Sequence, residues 1–343
     1  MTHARTAGLP GPAPCLTSGG GIGRRTALLG VAGLCAAAGP APVAETTLMV
    51  AGPTGGRLDR WADLVTPALS RALPGGGRLA RRTLGGVDGV TGANAFDALV
   101  TPDGATALLV PGAAPLAWLA GDRRAQFDPT GWAPAWATLA PAVLLTRDPL
   151  APGRKLRLPA PGASGPVLPM LLALDLLGIE AVLLPPAAAS SPAEVDGVFL
   201  SGPGVPAAAA ALREAGLLPA LALGAPDAAG TGAWGADPAF PGLPTAVGQV
   251  GARQAPAALA QALRATAAAA QLDAALVLPA LAPAGLAAAW QRGSSGIAAA
   301  PDVLTAAAAD GVRPVAAGPV LAAIAAGAAS APDLQRWITA HYA

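Results

Sequence analysis

Histidine, lysine and cysteine are almost missing from this chain. Beyond residue 44 there is one histidine, His341, close to the C-terminus, and one lysine, Lys155. Cys15 and Cys35 both lie upstream of that point, so residues 45–343 are left without a disulfide, a thiolate nucleophile or a cysteine metal site. A Ser/His or Cys/His pair would have to take its base from a fraying chain end. No HExxH, paired cysteines or histidine cluster offers a metal site. No G-x-S-x-G elbow occurs either, because Gly293-Ser294-Ser295-Gly296 lacks the spacing. We therefore expect no catalytic residue, no metal and no cofactor. A pair of carboxylates doing acid–base work is the enzymatic alternative that these absences leave open.

Acid is missing from residues 1–44 as well, and their only basic side chains are Arg5, Arg24 and Arg25. Behind the arginine pair runs a short apolar stretch, Thr26 to Ala38, too short to span a bilayer as a permanent helix. Ala36-Ala37-Ala38 fits an A-x-A cleavage site and Ala44 offers a second. The segment reads as a cleaved export signal, with cleavage favoured near Ala44 because strand-like sequence starts just after it. The adjacent arginines suggest the twin-arginine route, with an ordinary Sec leader as the alternative. With three of the 21 basic residues and none of the 20 acidic ones in the leader, residues 45–343 carry 18 bases against 20 acids. A net charge of −2 gives no reason to expect nucleic acid or anionic lipid as a partner. The 53% apolar content is half alanine, interrupted by proline and glycine, and is not expected to embed the mature protein in a membrane.

The remaining chain is long enough for two domains with separate cores. Short β-type runs, at 46–50, 78–84, 105–110, 142–146, 181–184, 195–200 and 218–223, alternate with helical stretches. The clearest helix runs from Arg60 to Leu73, with Trp61, Leu64, Val65, Ala68 and Leu69 on one face. Asp59 is placed to cap it, and Pro67 should kink or split it. Alternation of this kind predicts α/β architecture with mainly parallel sheets. Residues 224–244 read as lid or linker. The tail from Ala282 shows no clear strand, and Leu334, Trp337 and Ile338 should face inward.

Two glycine-rich turns each lead into a helix. Gly52-Pro53-Thr54-Gly55-Gly56-Arg57-Leu58-Asp59 follows the first strand, and Gly85-Gly86-Val87-Asp88-Gly89-Val90-Thr91-Gly92 the second. Glycines let backbone N–H groups approach a ligand, and a helix N-terminus favours an anion. Each turn could equally be plain turn geometry. Arg57 could add a charge-assisted bond to an anion or point to solvent. Asp88 could accept a ligand amine or cap the following turn. Gly202-Pro203-Gly204-Val205-Pro206-Ala207 fits a dinucleotide pattern, but its prolines remove N–H donors that a phosphate needs and its acidic partner is misplaced, so a tight strand–helix turn is the better reading.

In their order these pieces resemble the receptors of tripartite tricarboxylate transporters, the Bug family. The resemblance rests on Gly55, Gly56 and Asp59; on Gly86, Gly89, Gly92 and Ala93; on Pro102-Asp103-Gly104-Ala105-Thr106-Ala107-Leu108-Leu109; and on Phe127-Asp128-Pro129 with Pro134. Looser matches are Pro161-Gly162-Ala163-Ser164-Gly165-Pro166, without the histidine that often follows, Val195-Asp196-Gly197-Val198-Phe199, and Phe240-Pro241-Gly242-Leu243-Pro244-Thr245. Ala282-Pro283-Ala284-Gly285 stands later than in the family, implying an insertion around residues 255–276. The resemblance implies a type II periplasmic-binding-protein fold of two α/β domains joined by a hinge, residues 45–147 plus 275–343 and residues 148–274. It further implies a periplasmic location and a small carboxylate held by Thr54, Gly55, Gly56, Arg57, Gly86, Asp88, Gly89, Ser164 and Gly165. Permease subunits of such a transporter would be the partners. A sensor subunit of the same fold and an exported α/β enzyme are the alternatives.

Overall fold

The computed structural model describes residues 46–73, 79–185, 194–227 and 233–342. The leader and the center of the lid segment, 228–232, lie outside these residues.

From the N-terminal side the elements are β1 (Thr47–Ala51), α1 (Arg57–Ala72), β2 (Ala80–Leu84), α2 (Val90–Leu99), β3 (Thr106–Val110), α3 (Ala113–Leu119), β4 (Ala133–Leu139) and β5 (Ala142–Thr146). The middle of the chain contributes β6 (Lys155–Pro159), α4 (Leu168–Leu176), β7 (Glu180–Leu184), β8 (Gly197–Ser201), α5 (Val205–Glu214), β9 (Leu218–Ala222), β10 (Ala225–Pro226) and β11 (Trp234–Gly235). It ends with α6 (Ala246–Ala252), α7 (Ala257–Gln271), β12 (Leu272–Leu278), α8 (Ala284–Ala298), α9 (Pro301–Asp310), β13 (Arg313–Val315), α10 (Ala317–Ala326) and α11 (Ala331–Tyr342).

A six-stranded sheet in the order β13-β4-β12-β3-β1-β2 organises the ends of the chain, and a three-stranded sheet, β8-β5-β9, the middle. The expected predominance of parallel pairing is not found. β1 pairs parallel with β2 and β3, and β6 with β7, but β12 runs antiparallel to both β3 and β4, and β5 antiparallel to β8 and β9. The reason is the late return of the chain: β12 enters between β3 and β4 in the opposite direction. Most of it falls in the segment that the resemblance marks as an insertion, and it is a central strand. The tail holds a strand as well, β13 on the edge beside β4.

The large sheet is covered on both faces, so its inner strands are buried throughout. Leu48, Val50, Leu109 and Leu276 point into one core with Trp61, Leu69 and Trp290 of α1 and α8. Met49, Leu108, Val110 and Val277 point into the other, with Phe96 of α2, Leu263 of α7 and Leu321 of α10. Gly293 fits α8 against α1, where an added Cβ would sit 3.0 Å from Leu69 Cδ2; the Gly-Ser-Ser-Gly stretch is helical.

Helix α1 starts three residues earlier than its apolar pattern suggests. Gly56, not Asp59, is the N-cap. Asp59 stands in the first turn and reaches back to accept the Gly55 N–H at 2.7 Å, one residue before the N-cap. Pro67 does not split the helix, which continues to Ala72. The carbonyl it leaves without a helix partner belongs to Asp63, which is exposed, so the loss falls where solvent reaches. The helical stretch Ala317–Tyr342 is long and apolar enough by composition to cross a membrane. A 3₁₀ turn at Ala328–Ser330 breaks it, and Val320, Ile324, Leu334 and Trp337 are buried in the protein core, with Ile338 packed partly buried against it. Trp337 Nε1 donates to Asp175 Oδ2 of α4 at 2.7 Å.

Candidate functional site

Parallel strands that end side by side leave a crevice beyond their C-terminal ends, the usual ligand position in open α/β sheets. β1, β2 and β3 end in this way, and the turns that follow them contribute Gly52, Pro53, Gly56 to Leu58, Val87, and Pro111 to Ala113 to the wall of a cleft of about 250 Å³. Ala140 and residues 270–273 form the part where the chain passes between the sheets. Pro166 and Gly202, from turns beside the smaller sheets, face them. A larger hollow of about 460 Å³ lies beside β9 and α6, lined by Arg147, Leu218, Gln249 and Arg253 among others. None of the glycine turns reaches it, and we place the site in the smaller cleft for that reason.

Of the residues read from the sequence, Gly56 and Arg57 line the cleft. Thr54 and Gly55 belong to the same turn and are exposed. Gly86, Asp88 and Gly89 surround Val87, and Ser164 and Gly165 immediately precede Pro166. Gly89 begins α2 with φ 72°, and a Cβ there would lie 2.4 Å from Pro111 Cδ. The turn after β2 and the turn after β3 are therefore locked together by that glycine.

The two charged candidates are already partnered. Arg57 lines the cleft with its guanidinium already bonded. Its Nε and Nη2 form a bidentate pair with Asp273 (Nη2 to Oδ2, 2.8 Å), and its Nη1 donates to Asp310 Oδ2 at 2.7 Å. The guanidinium also lies 5.7 Å from the ring centroid of Trp61. Burial alone would lower the pKa of Arg57, but hydrogen bonds and charge from Asp273, then Asp310, outweigh it and hold it above its ordinary value. Asp273 also accepts from Trp61 Nε1 at 2.9 Å and Thr138 Oγ1 at 3.2 Å. Asp88 accepts from the Val90 N–H at 3.3 Å and pairs with Arg124 at 2.9 Å. The first contact is that of an Asp that caps the following turn, and the second supplies it with a cation.

Sequence reasoning did not assign to the site Asp273, Val87, Pro111 to Ala113, Ala140, Pro166, Gly202 and residues 270–272, which line the cleft, or Asp310, which bonds Arg57. Asp273 had one local signal, a lone acid inside the run Leu272-Asp273-Ala274-Ala275-Leu276, since a charge on a buried strand needs a partner. Gly202 and Gly204, at φ 98° and 74°, form the tight turn between β8 and α5, and the Gly204 N–H donates to the Asp310 carbonyl at 2.8 Å.

Behind the cleft, on the far side of Ala140 and Gln271, a second cavity of about 230 Å³ is lined by Asp237 and Arg313. Asp237 is buried and accepts the Ala239 N–H at 2.9 Å. Burial raises its pKa; the Ala239 N–H, the charge of Arg313 and the Ala142 N–H oppose this without cancelling it. Burial likewise lowers the pKa of Arg313, against the pull of Asp237. The folded state therefore holds the Asp237 proton more tightly than the unfolded chain. Stability falls as pH rises through the window from the unfolded carboxylate pKa to the folded one. Asp237→Asn keeps the acceptor and removes the charge. It is expected to be more stable than the parent above that window and indistinguishable from it below, in urea titrations across pH. A variant less stable at neutral pH would mean that the Arg313 interaction outweighs desolvation.

No protein-family model matches this chain, and no curated protein matches it. Among solved structures it is similar to a TctC solute binding protein from Polaromonas, at 15% identity and a TM-score of 0.64, over 87% of this chain and 99% of that one. MatC from Rhodopseudomonas palustris, with bound malate, is 20% identical over 87% of this chain and all of its own, at a TM-score of 0.47, too low to add to the assignment. The first likeness shows the fold: the chain has the α/β architecture of a periplasmic solute-binding protein, as expected of the type II class.

Proposed function

We propose that this chain is a periplasmic solute-binding protein that closes two lobes on a small carboxylate and presents it to the permease of a tripartite tricarboxylate-type transporter. The observation that carries this reading is the cleft itself. Its walls come from glycine turns at the ends of β1, β2 and β3 on one side and from Pro166 and Gly202 on the other. Such walls offer close backbone approach, and the charged side chains among the described residues that line them, Arg57 and Asp273, are bonded to each other. The likeness in fold and the motif resemblance from Gly55 to Pro134 point the same way. In this reading the export leader places the protein in the periplasm. The moving bodies follow the two sheets, close to 45–147 with 275–343 and 148–274, except that β5 goes with the second body and all of β12 with the first. They hinge where the chain crosses between the sheets, at 139–142 and 271–272, with the Ala140 N–H bonded to the Gln271 carbonyl at 2.8 Å.

A ligand that binds only the folded state stabilises it by mass action, about 2.7 kcal/mol at a hundredfold excess over Kd. Mono-, di- or tricarboxylates are accordingly expected to raise the melting temperature of the purified protein without being consumed. A broad carboxylate screen with no shift, while neutral sugars or peptides give one, would overturn the assignment.

A further inference from the structure

Within that reading, and resting on it, we infer that the ligand is a monocarboxylate with a short apolar body, and that a second carboxylate is excluded. The cleft of about 250 Å³ is at the small end of ligand sites, and much of its lining is apolar. Pro53, Leu58 and Val87 of the glycine turns, with Pro111, Pro166 and Leu272, supply that surface. Val87 is 83% exposed at this position, a large aliphatic side chain on a turn where packing does not require one. Apolar side chains that converge on a cleft are matched by an apolar ligand surface.

The charges lead to the same conclusion. A dicarboxylate needs either two sets of backbone donors or a cation for its second group. Arg57, the cation of the cleft, gives one edge of its guanidinium to Asp273 and a further nitrogen to Asp310. Asp273 is buried, with its side chain 4% exposed, and its two other donors, Trp61 and Thr138, fix it in place. Arg57, Asp273 and Asp310 together therefore carry a net negative charge beside the cleft. An additional carboxylate would lose its water without gaining a counter-charge, which is unfavourable. A single carboxylate can instead take the starts of α1 and α2, where helix N-termini favour an anion.

The test compares acids of equal chain length. Isothermal titration with hexanoate, adipate and hexanamide separates the body, the second charge and the first charge. Hexanoate is expected to bind at least tenfold more tightly than adipate and at least tenfold more tightly than hexanamide. Adipate binding as well as or better than hexanoate overturns this inference and leaves the carboxylate reading standing. Hexanamide binding as well as hexanoate overturns the carboxylate reading itself. No binding of hexanoate also defeats the inference, and the wider carboxylate screen then decides the reading separately. A second arm uses Asp310→Ala, at a side chain 44% exposed whose loss leaves the buried pair in place. It frees one Arg57 nitrogen for the ligand and is expected to narrow the hexanoate-to-adipate ratio at least fivefold. An unchanged ratio would show that the occupation of Arg57 is not what rejects the second charge, against the inference.

Discussion

Replacing Asp273 by alanine is expected to destabilise the protein by about 3 kcal/mol. The carboxylate accepts four hydrogen bonds, two from Arg57 and one each from Trp61 and Thr138. Its removal strands a half-buried guanidinium and two further donors. Breaking one side of a buried ion pair typically costs about 3–5 kcal/mol. The lower figure applies because the Arg57 side chain is 24% exposed and keeps Asp310. The comparison that gives the number its meaning is Asp310→Ala. That ion pair involves a carboxylate 44% exposed, and its loss should cost less than about 1 kcal/mol. Urea unfolding of the two variants with unchanged m-values measures the difference. Equal losses would mean that burial does not distinguish the two partners of Arg57. Because Asp273 lies on β12 and Arg57 on the first turn of α1, the same substitution also loosens one wall of the cleft, and the bound state should weaken with it.

How much of this could be read from the chain depends on how far apart the interacting residues lie. β1, β3, β5, β7 and β9 were legible within a residue or so because each is an apolar run bracketed by glycine, proline or charge. β4 was hidden by composition: Ala-Pro-Ala-Trp-Ala-Thr-Leu has few β-branched residues, and its burial between β12 and β13 decides its state. β12 was hidden by continuity, since alanine-rich α7 passes into it at Gln271–Leu272 with no loop to mark the change. β6 has a period-two signal, with Leu156 and Leu158 buried and alternating with exposed Lys155 and Arg157, but it is only five residues long and has no bracketed apolar run to mark it. The glycine turns were visible because glycine and a following helix are local features. The partners of Arg57 were not, because Asp273 and Asp310 stand 216 and 253 positions away. Local sequence therefore located the first wall of the cleft, while the tertiary pairings set its charge.

The other large effect is expected at Gly112, where alanine should cost about 3 kcal/mol, at the upper end of what overpacking a core usually costs. Gly112 precedes α3 at φ −64°, so the backbone conformation does not call for glycine. Space does. A Cβ there would lie 2.0 Å from the Ala269 carbonyl oxygen, 2.5 Å from that of Leu272 and 2.7 Å from Leu272 Cβ. The first two neighbours are backbone, at the junction where α7 becomes β12, and the Gly112 N–H is bonded to the Leu272 carbonyl at 3.0 Å. β12 is held on both sides by β3 and β4, so the junction cannot yield without disturbing the large sheet. Gly55→Ala serves as the control. Gly55 has φ +73° and no atom within 4 Å of an added Cβ, so only the left-handed strain remains, about 1 kcal/mol. A glycine-to-alanine change in compatible backbone normally stabilises by about 0.4–1 kcal/mol through the unfolded chain. The sign of the Gly112→Ala effect in thermal or urea unfolding is therefore decisive. A neutral or stabilised variant would mean that α3 is not packed against the crossing segment. A destabilised one that also binds carboxylates poorly would tie this contact, which lies on the cleft and beside the proposed hinge, to ligand capture.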